Sequence, residues 1–250
     1  MKAISDKARE HYRERLYRHY LVTHRGVDLK TARASLHASA PYLRKLIRSH
    51  MPQDKNARIL DLGCGYGALL YWLRQAGYCS LEGIDRSPEQ VQGAHNLGLD
   101  FVREGDLMDG LASRDSYSSN VVVAFDVVEH LTKEEALRFI DEVYRVLVTG
   151  GLFIMHTPNG EGIFSATQYG DFTHELTLTR GSASQLLRCA GFSHVSAYED
   201  TPVVHGVMSG GRYLMWKLFR AFMWVGYVAE TGEIGRNPIF TQNFLMVAKK

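Results

Sequence analysis

Ile59-Leu60-Asp61-Leu62-Gly63-Cys64-Gly65-Tyr66-Gly67-Ala68 is the stretch on which the reading of this chain turns. Ile59 to Leu62 is a buried-strand pattern, three alternate glycines follow, and Leu69–Gln75 continues as a helix. Glycine lets the backbone turn tightly and approach a ligand closely. The helix N-terminus behind the glycines is electropositive. Taken alone the loop is ambiguous, because Gly63, Gly65 and Ala68 also satisfy the dinucleotide fingerprint G-x-G-x-x-G/A.

Working outward, strand-like runs recur at 58–62, 80–84, 100–103, 120–125 and 152–156, with helical stretches near 66–76, 87–96 and 132–147 between them. Strands alternating with helices predict a parallel sheet covered on both faces. Two helix starts are well signed. Ser87-Pro88-Glu89-Gln90 offers an N-cap, a proline at the first helical position and a capping-box glutamine, and Thr132-Lys133-Glu134-Glu135 repeats the box. Later, 181–190 reads as a helix, and 194–198 and 240–248 as strands. The insertion 201–239 between those two strands is far too long for a hairpin loop. Upstream, 4–20 and 28–51 read as two helices, the second expected to kink or split at Pro41. The polar joint 52–57 then divides a helical N-terminal cap, 1–51, from a main domain, 52–250.

The composition, 250 residues with 45% hydrophobic and 22% charged, excludes disordered, collagen-like and coiled-coil classes. A net charge of +2 conceals an asymmetry: 12 Lys/Arg against 4 Asp/Glu in residues 1–50, on an acidic remainder. That pattern suits a docking surface or a lid over an anionic ligand, and equally a solvated basic helix pair. Three cysteines without framework spacing point to a reducing compartment, and the lack of C-x-x-C argues against structural zinc. Met1 to Asp6 lacks the apolar stretch of a signal peptide. The apolar run 213–229 is broken by Lys217 and Arg220, which argues against a spanning helix. The expected location is the cytoplasm. An aromatic and basic helix over 212–228 suits the inner membrane surface, a lid, a homodimer interface, or an ordinary buried position.

Acidic residues sharpen the glycine loop. Asp85 ends the second run, where a carboxylate accepts from both ribose hydroxyls, as in NAD enzymes too. Asp61 lies two residues before Gly63, placed to meet a cationic or amino group rather than a pyrophosphate. The third run ends in Gly105-Asp106-Leu107, where Asp106 can accept from an adenine amino group. The fourth ends in Asp126-Val127-Val128-Glu129-His130-Leu131.

On these motifs, residues 58–157 resemble the class I S-adenosylmethionine-dependent methyltransferases. Asp61 to Gly67 matches the family's first motif and Asp85 its ribose-binding acid. Asp106 and Leu107 match the adenine position, Asp126 to Leu131 the fourth motif, and Leu147-Val148-Thr149-Gly150-Gly151 the turn before the fifth strand. The resemblance implies a seven-stranded doubly wound, Rossmann-like sheet whose last strand is antiparallel. It implies S-adenosylmethionine as cofactor, held by Asp61, Gly63, Cys64, Gly65, Gly67, Asp85, Arg86, Asp106, Leu107 and Asp126.

A hydroxyl acceptor must lose its proton as it attacks the methyl group, and histidine suits that role near neutrality. His130 is one candidate base, beside the bland reading of a packed, hydrogen-bonded histidine. Asp126 as a helix cap and Glu129 as a solvated first-turn acid are the bland readings of its neighbours. The Asp-x-x-Glu-His spacing is also similar to ubiquinone-biosynthesis O-methyltransferases, some of which use a divalent metal; Asp126, Glu129 and His130 would be its ligands here. After the fifth strand, Asp171, His174 and Glu175 form either an acceptor-contact cluster or a polar surface loop. His174 is the second candidate base, oriented by Glu175 or Asp171, and His205 a weaker third.

Gly170-Asp171-Phe172-Thr173-His174-Glu175, Pro202-Val203-Val204-His205-Gly206 and Phe240-Thr241-Gln242-Asn243 together resemble a bacterial subgroup associated with surface-polysaccharide or other glycan assembly. That resemblance implies a sugar hydroxyl as acceptor. The alternatives are a small phenolic or quinone-like acceptor with metal assistance, an RNA or DNA acceptor steered by the basic N-terminus, and a non-catalytic subunit. Nucleic acid is not expected, because no RNA-binding motif and no Asn/Asp-Pro-Pro-Tyr sequence occurs.

Overall fold

The computed structural model describes residues 32–235 and 238–250. The expected helix 4–20, the start of the second helix, and most of the basic N-terminal segment lie outside the described residues.

Helix α1 (Ala32–His50) presents Leu36, Ala40, Leu43 and Ile47 at helical spacing, and all four are buried. It runs unbroken through Pro41, so the expected split does not occur. Tertiary burial of that face overrides the local cost of the proline. Across from it lies Trp72, whose indole N–H donates to the Leu36 carbonyl at 3.2 Å while Arg44 stacks 4.2 Å over its ring.

The chain then alternates: β1 (Ile59–Leu62), α2 (Ala68–Gln75), β2 (Leu81–Asp85), α3 (Pro88–Asn96), β3 (Val102–Glu104), α4 (Leu107–Ala112), β4 (Ser119–Phe125). A short 3₁₀ turn, Val128–His130, leads to α5 (Lys133–Val146), β5 (Leu147–Pro158), α6 (Ala166–Tyr169), α7 (Arg180–Cys189), β6 (His194–Glu199), α8 (Val207–Thr231) and β7 (Asn243–Lys249). The seven strands form one sheet in the order β3-β2-β1-β4-β5-β7-β6. The first five are parallel, and β7 runs antiparallel between β5 and β6.

Strand β1 is buried at every position, as a parallel strand covered on both faces must be. Its alternating side chains feed two cores. Ile59 joins α1, α2 and α3 with Val121, Val123 and Ile154, and Leu60 and Leu62 join α4, α5 and α7 with Val122, Phe153 and Met155. Helix caps follow the sequence signs. The Ser87 hydroxyl caps α3, and Thr132 and Glu135 complete a reciprocal box on α5.

Strand β3 starts later than the run 100–103 suggests. Gly98 closes α3 with φ +76° and drops Leu99 into the core, so pairing begins only at Val102. Most of the insertion folds as α8, and of that helix's residues only Met223 is buried. The buried-helix reading of that segment is therefore wrong. Among the described residues no helix is long and apolar enough to cross a membrane.

Candidate active site

Register places Leu62 beside both Ile84 and Ala124, and Phe125 beside His156, so the carboxyl ends of β1, β2, β4 and β5 share one edge. Ligands bind at that edge of an open α/β sheet. The glycine loop leaves β1 there. Gly63 adopts φ +69°, and a Cβ on it would sit 2.5 Å from the Val127 side chain; on Gly67, with φ +77°, it would meet Leu99 at 2.5 Å. The cradle excludes side chains on these two grounds at once. Asp85, at the end of β2, ties the loop down: its Oδ2 accepts from the Gly65 N–H at 2.7 Å and its Oδ1 from the Ser87 N–H at 2.8 Å. Burial raises its pKa, and those two N–H groups hold the rise back. Arg86 beside it is exposed.

Asp61 is buried beneath the loop, and its carboxyl is pushed up to about 8 by that burial and then by Asp85. The Cys64 thiol is pushed up by burial, then by the same two acids, so it is no nucleophile. Asp106 is exposed and N-caps α4, its Oδ1 accepting from Met108 N at 2.8 Å. Leu107 opens that helix and packs on the core.

The far side of the edge holds a second constellation. Asp126 is a non-glycine residue at φ +53°, a sparsely populated conformation that collects at functional sites. It does not cap a helix. Its exposed carboxylate meets His156 Nδ1 at 2.7 Å, and His156 Nε2 lies 3.5 Å from Asp200 Oδ2. Burial alone favours a neutral imidazole, but the two acids outweigh it and raise His156 to about 10. The surroundings likewise disfavour a charged Asp126, but His156 prevails and holds it below the ordinary value. Tyr42 of α1 packs edge-on to His156 at 6.3 Å, which joins the N-terminal helix to this ion triad, and burial and then the nearby Asp200 and Asp126 charges raise its pKa. The sequence reading missed His156, Asp200 and Tyr42. His156 was findable, as a polar residue closing a buried strand at the ligand edge.

Glu129 is not a solvated acid. It is 1% exposed, its Oε2 accepts from Thr157 Oγ1 at 3.1 Å, and its Oε1 has no partner. Burial, then Asp126, pushes its carboxyl up to about 8. The loop after β5 folds back against it, with the N–H groups of Glu175 and Leu176 both donating to the Glu129 carbonyl. This brings His130 and His174 to a ring-centroid distance of 4.8 Å.

Hydrogen bonding fixes both tautomers. The Thr173 hydroxyl has one proton, and it lies 2.6 Å from Asp171 Oδ1 and 2.9 Å from His130 Nδ1. It donates to the carboxylate, so His130 donates from Nδ1 and keeps its lone pair on Nε2. His174 Nδ1 donates to the Gln168 carbonyl at 2.8 Å, which leaves its lone pair on Nε2 as well. Asp171 faces both histidines: its Oδ2 lies 3.9 Å from His174 Nε2 and its Oδ1 accepts from Thr173, which meets His130, while the Gln168 carbonyl holds His174 Nδ1 and the Glu175 side chain is exposed. Burial, then His174, lowers the His130 pKa. His205 bonds only locally within its own turn, to the Val203 carbonyl and Ser209.

The expected metal set also changes. Ligand atoms of Glu129, His130 and His174 lie within 4.8 Å of one another, while Asp126 is turned to His156. Two imidazoles and a carboxylate suit Zn²⁺ or another first-row transition ion better than Mg²⁺. The unpartnered Glu129 Oε1 fits such a ligand role.

Residues 60–155 match the methyltransferase domain family. That match spans the strands from β1 to β5 and the helices between them. A probable S-adenosylmethionine-dependent methyltransferase of Mycolicibacterium smegmatis is 38% identical over 154 residues, which are 59% of this chain and 55% of that protein. An Archaeoglobus fulgidus SAM-dependent methyltransferase structure has a TM-score of 0.58 at 19% identity, covering 94% of this chain and 98% of its own. Haemonchus contortus phosphoethanolamine N-methyltransferase 2, solved with S-adenosylmethionine, has a TM-score of 0.57 at 15% identity, covering 84% of this chain and 52% of its own. These structures share the fold. The chain spans about half the length of the curated relatives it matches, 54% and 55%. The glycine cradle with Asp61 and Asp85 fits S-adenosylmethionine, the ligand of the Haemonchus contortus enzyme.

Proposed function

We propose that the chain transfers the methyl group of S-adenosylmethionine to a hydroxyl of a sugar or glycan, with His130 as the base. The observation that carries this reading is the pair of histidines packed 4.8 Å apart beyond β4 and β5, with Thr173 and Asp171 behind His130 Nδ1. The cofactor, when bound, supplies an electrophilic methyl on a cationic sulfur. Holding the acceptor oxygen in line with it is the larger part of catalysis. The acceptor O–H gives its proton to His130 Nε2. Thr173 and Asp171, behind Nδ1, steady the resulting imidazolium. The acceptor loop also carries Tyr169 and Phe172, exposed at 75% and 89%, beside Asp171. Exposed aromatic faces suit the apolar face of a sugar ring.

His130→Ala is expected to lower kcat by about 10²- to 10⁴-fold with cofactor affinity retained, and His174→Ala to lower it less. Full activity in both variants contradicts the base assignment. A second reading rests on the 4.8 Å grouping of Glu129, His130 and His174, which would hold a divalent ion that lowers the acceptor's pKa. Under it, Zn²⁺ or Mn²⁺ raises the unfolding midpoint of the wild type but not of His174→Ala.

Asp61 supplies a separate check on the cofactor's charge. A buried acid with no cation beside it is protonated below its raised pKa of about 8. A cationic ligand favours the carboxylate, so binding below that pH must expel a proton. Affinity is expected to fall with falling pH, by up to about tenfold per unit, and to level off above pH 8. Calorimetry in buffers of different ionisation enthalpy should find up to about one proton released per cofactor near pH 7, and none for Asp61→Asn.

A further inference from the structure

Helix α8 holds its outward face open. Val207, Leu214, Leu218, Phe222 and Val225 recur at three-, four- and seven-residue spacing, so they form one stripe. They are exposed at 95%, 62%, 67%, 77% and 60%. The opposite face fixes this orientation. There Arg220 Nε bonds Glu199 at 2.7 Å, Met223 is buried, and Tyr227 packs on Phe240 at 6.5 Å. At its edge the stripe meets the acceptor side, where Phe219 stacks on the half-exposed Phe164 at 6.0 Å.

Charge along the helix has one sign until its last turn. Arg212 and Lys217 border the stripe on its two sides, and no acidic residue occurs between Asp200 and Glu230. A second copy laid on this face would bring those cations together with no acid on the helix to answer them. The stripe is convex and helical over 25 residues, about 37 Å at 1.5 Å per residue, and is not a groove for a peptide. A surface-lying helix has this composition: an apolar face, aromatic residues, and cations at its borders.

We propose that α8 lies on an anionic lipid surface, with Leu214, Leu218 and Phe222 immersed and Arg212 and Lys217 at the headgroups. The mouth of the acceptor site then opens beside the bilayer. This goes beyond the methyl-transfer reading and does not depend on which atom is methylated.

The test is co-sedimentation of the full chain with vesicles of phosphatidylcholine alone and of phosphatidylcholine with phosphatidylglycerol. The expected result is binding to the anionic vesicles. The double variant Leu218→Glu with Phe222→Glu should weaken it about a hundredfold. Arg212→Glu with Lys217→Glu, which leaves the apolar residues intact, should weaken it about tenfold or more. Turnover on a water-soluble acceptor should be unchanged in all variants, which separates a fault in docking from a fault in the site. Absence of binding overturns the proposal. Binding untouched by both pairs of changes also overturns it, because another surface, such as the basic N-terminus, would then hold the lipid. A wild-type dimer in light scattering that the double variant dissociates overturns it too, and makes a second copy the occupant.

Discussion

Asp85→Ala is expected to weaken S-adenosylmethionine binding by about two orders of magnitude or more. Two effects combine. A charged acceptor contributes about 1.5–3 kcal/mol per hydrogen bond, and a ribose presents two hydroxyls. The same carboxylate also holds the N–H groups of Gly65 and Ser87, so its loss frees the glycine loop before any ligand arrives. Fold stability should change little, because burial already works against this acid's charged form. Asp85→Asn, which keeps one acceptor oxygen, should fall between wild type and alanine. Calorimetric titration decides the matter, and an unchanged dissociation constant contradicts the assignment of Asp85.

His156→Leu carries the largest expected cost to the fold. It removes the cation between Asp126 and Asp200 and leaves two carboxylates facing an apolar side chain. Because Asp126 is exposed, solvent screens part of the loss, and the cost is about 1–3 kcal/mol. For a chain of this size that lowers the unfolding midpoint by about 5 °C. The loss depends on pH in a defined direction. His156 is raised from 6.5 to about 10 in the fold, so its contribution is full below pH 6.5 and fades as pH rises through 10. Asp126 is depressed, so its share is present above the ordinary carboxylate range and is lost in acid. The gap between wild-type and variant midpoints should therefore be widest near pH 5–6 and close towards pH 10. Adding Asp126→Asn and Asp200→Asn should recover much of the loss. Parallel midpoint curves across that range would show that the triad is not an ion triad.

The sheet was legible because its signals are local. Glycines at 63, 65 and 67, capping boxes at 87 and 132, and an apolar run at every parallel strand each specify their own element. Asp85 at the end of β2, beside the glycine loop, was legible for the same reason, at a fixed place after a fixed strand. The acceptor half was not, because tertiary contacts build it. Thr173 links Asp171 to His130 from 43 residues away, and the Gln168 carbonyl holds His174 Nδ1. Asp200 reaches His156 from beyond β6, and Tyr42 packs on His156 from a helix that the sequence assigns to a separate cap. Charge pairing across such distances leaves no spacing in the sequence. Glu129 misled for a related reason: the helix-start position suggests a solvated acid, but the loop after β5 covers it.

The most direct measurement uses S-adenosylmethionine with a labelled methyl group, incubated with the protein and a lysate of the source organism. Polysaccharide and lipid-linked glycan are then separated from small molecules, nucleic acid and protein. The account predicts label in the glycan fraction, as an alkali-stable methyl ether, lost in both Asp85→Ala and His130→Ala. Label confined to amines, nucleic acid or protein, with the glycan fraction blank, would contradict it.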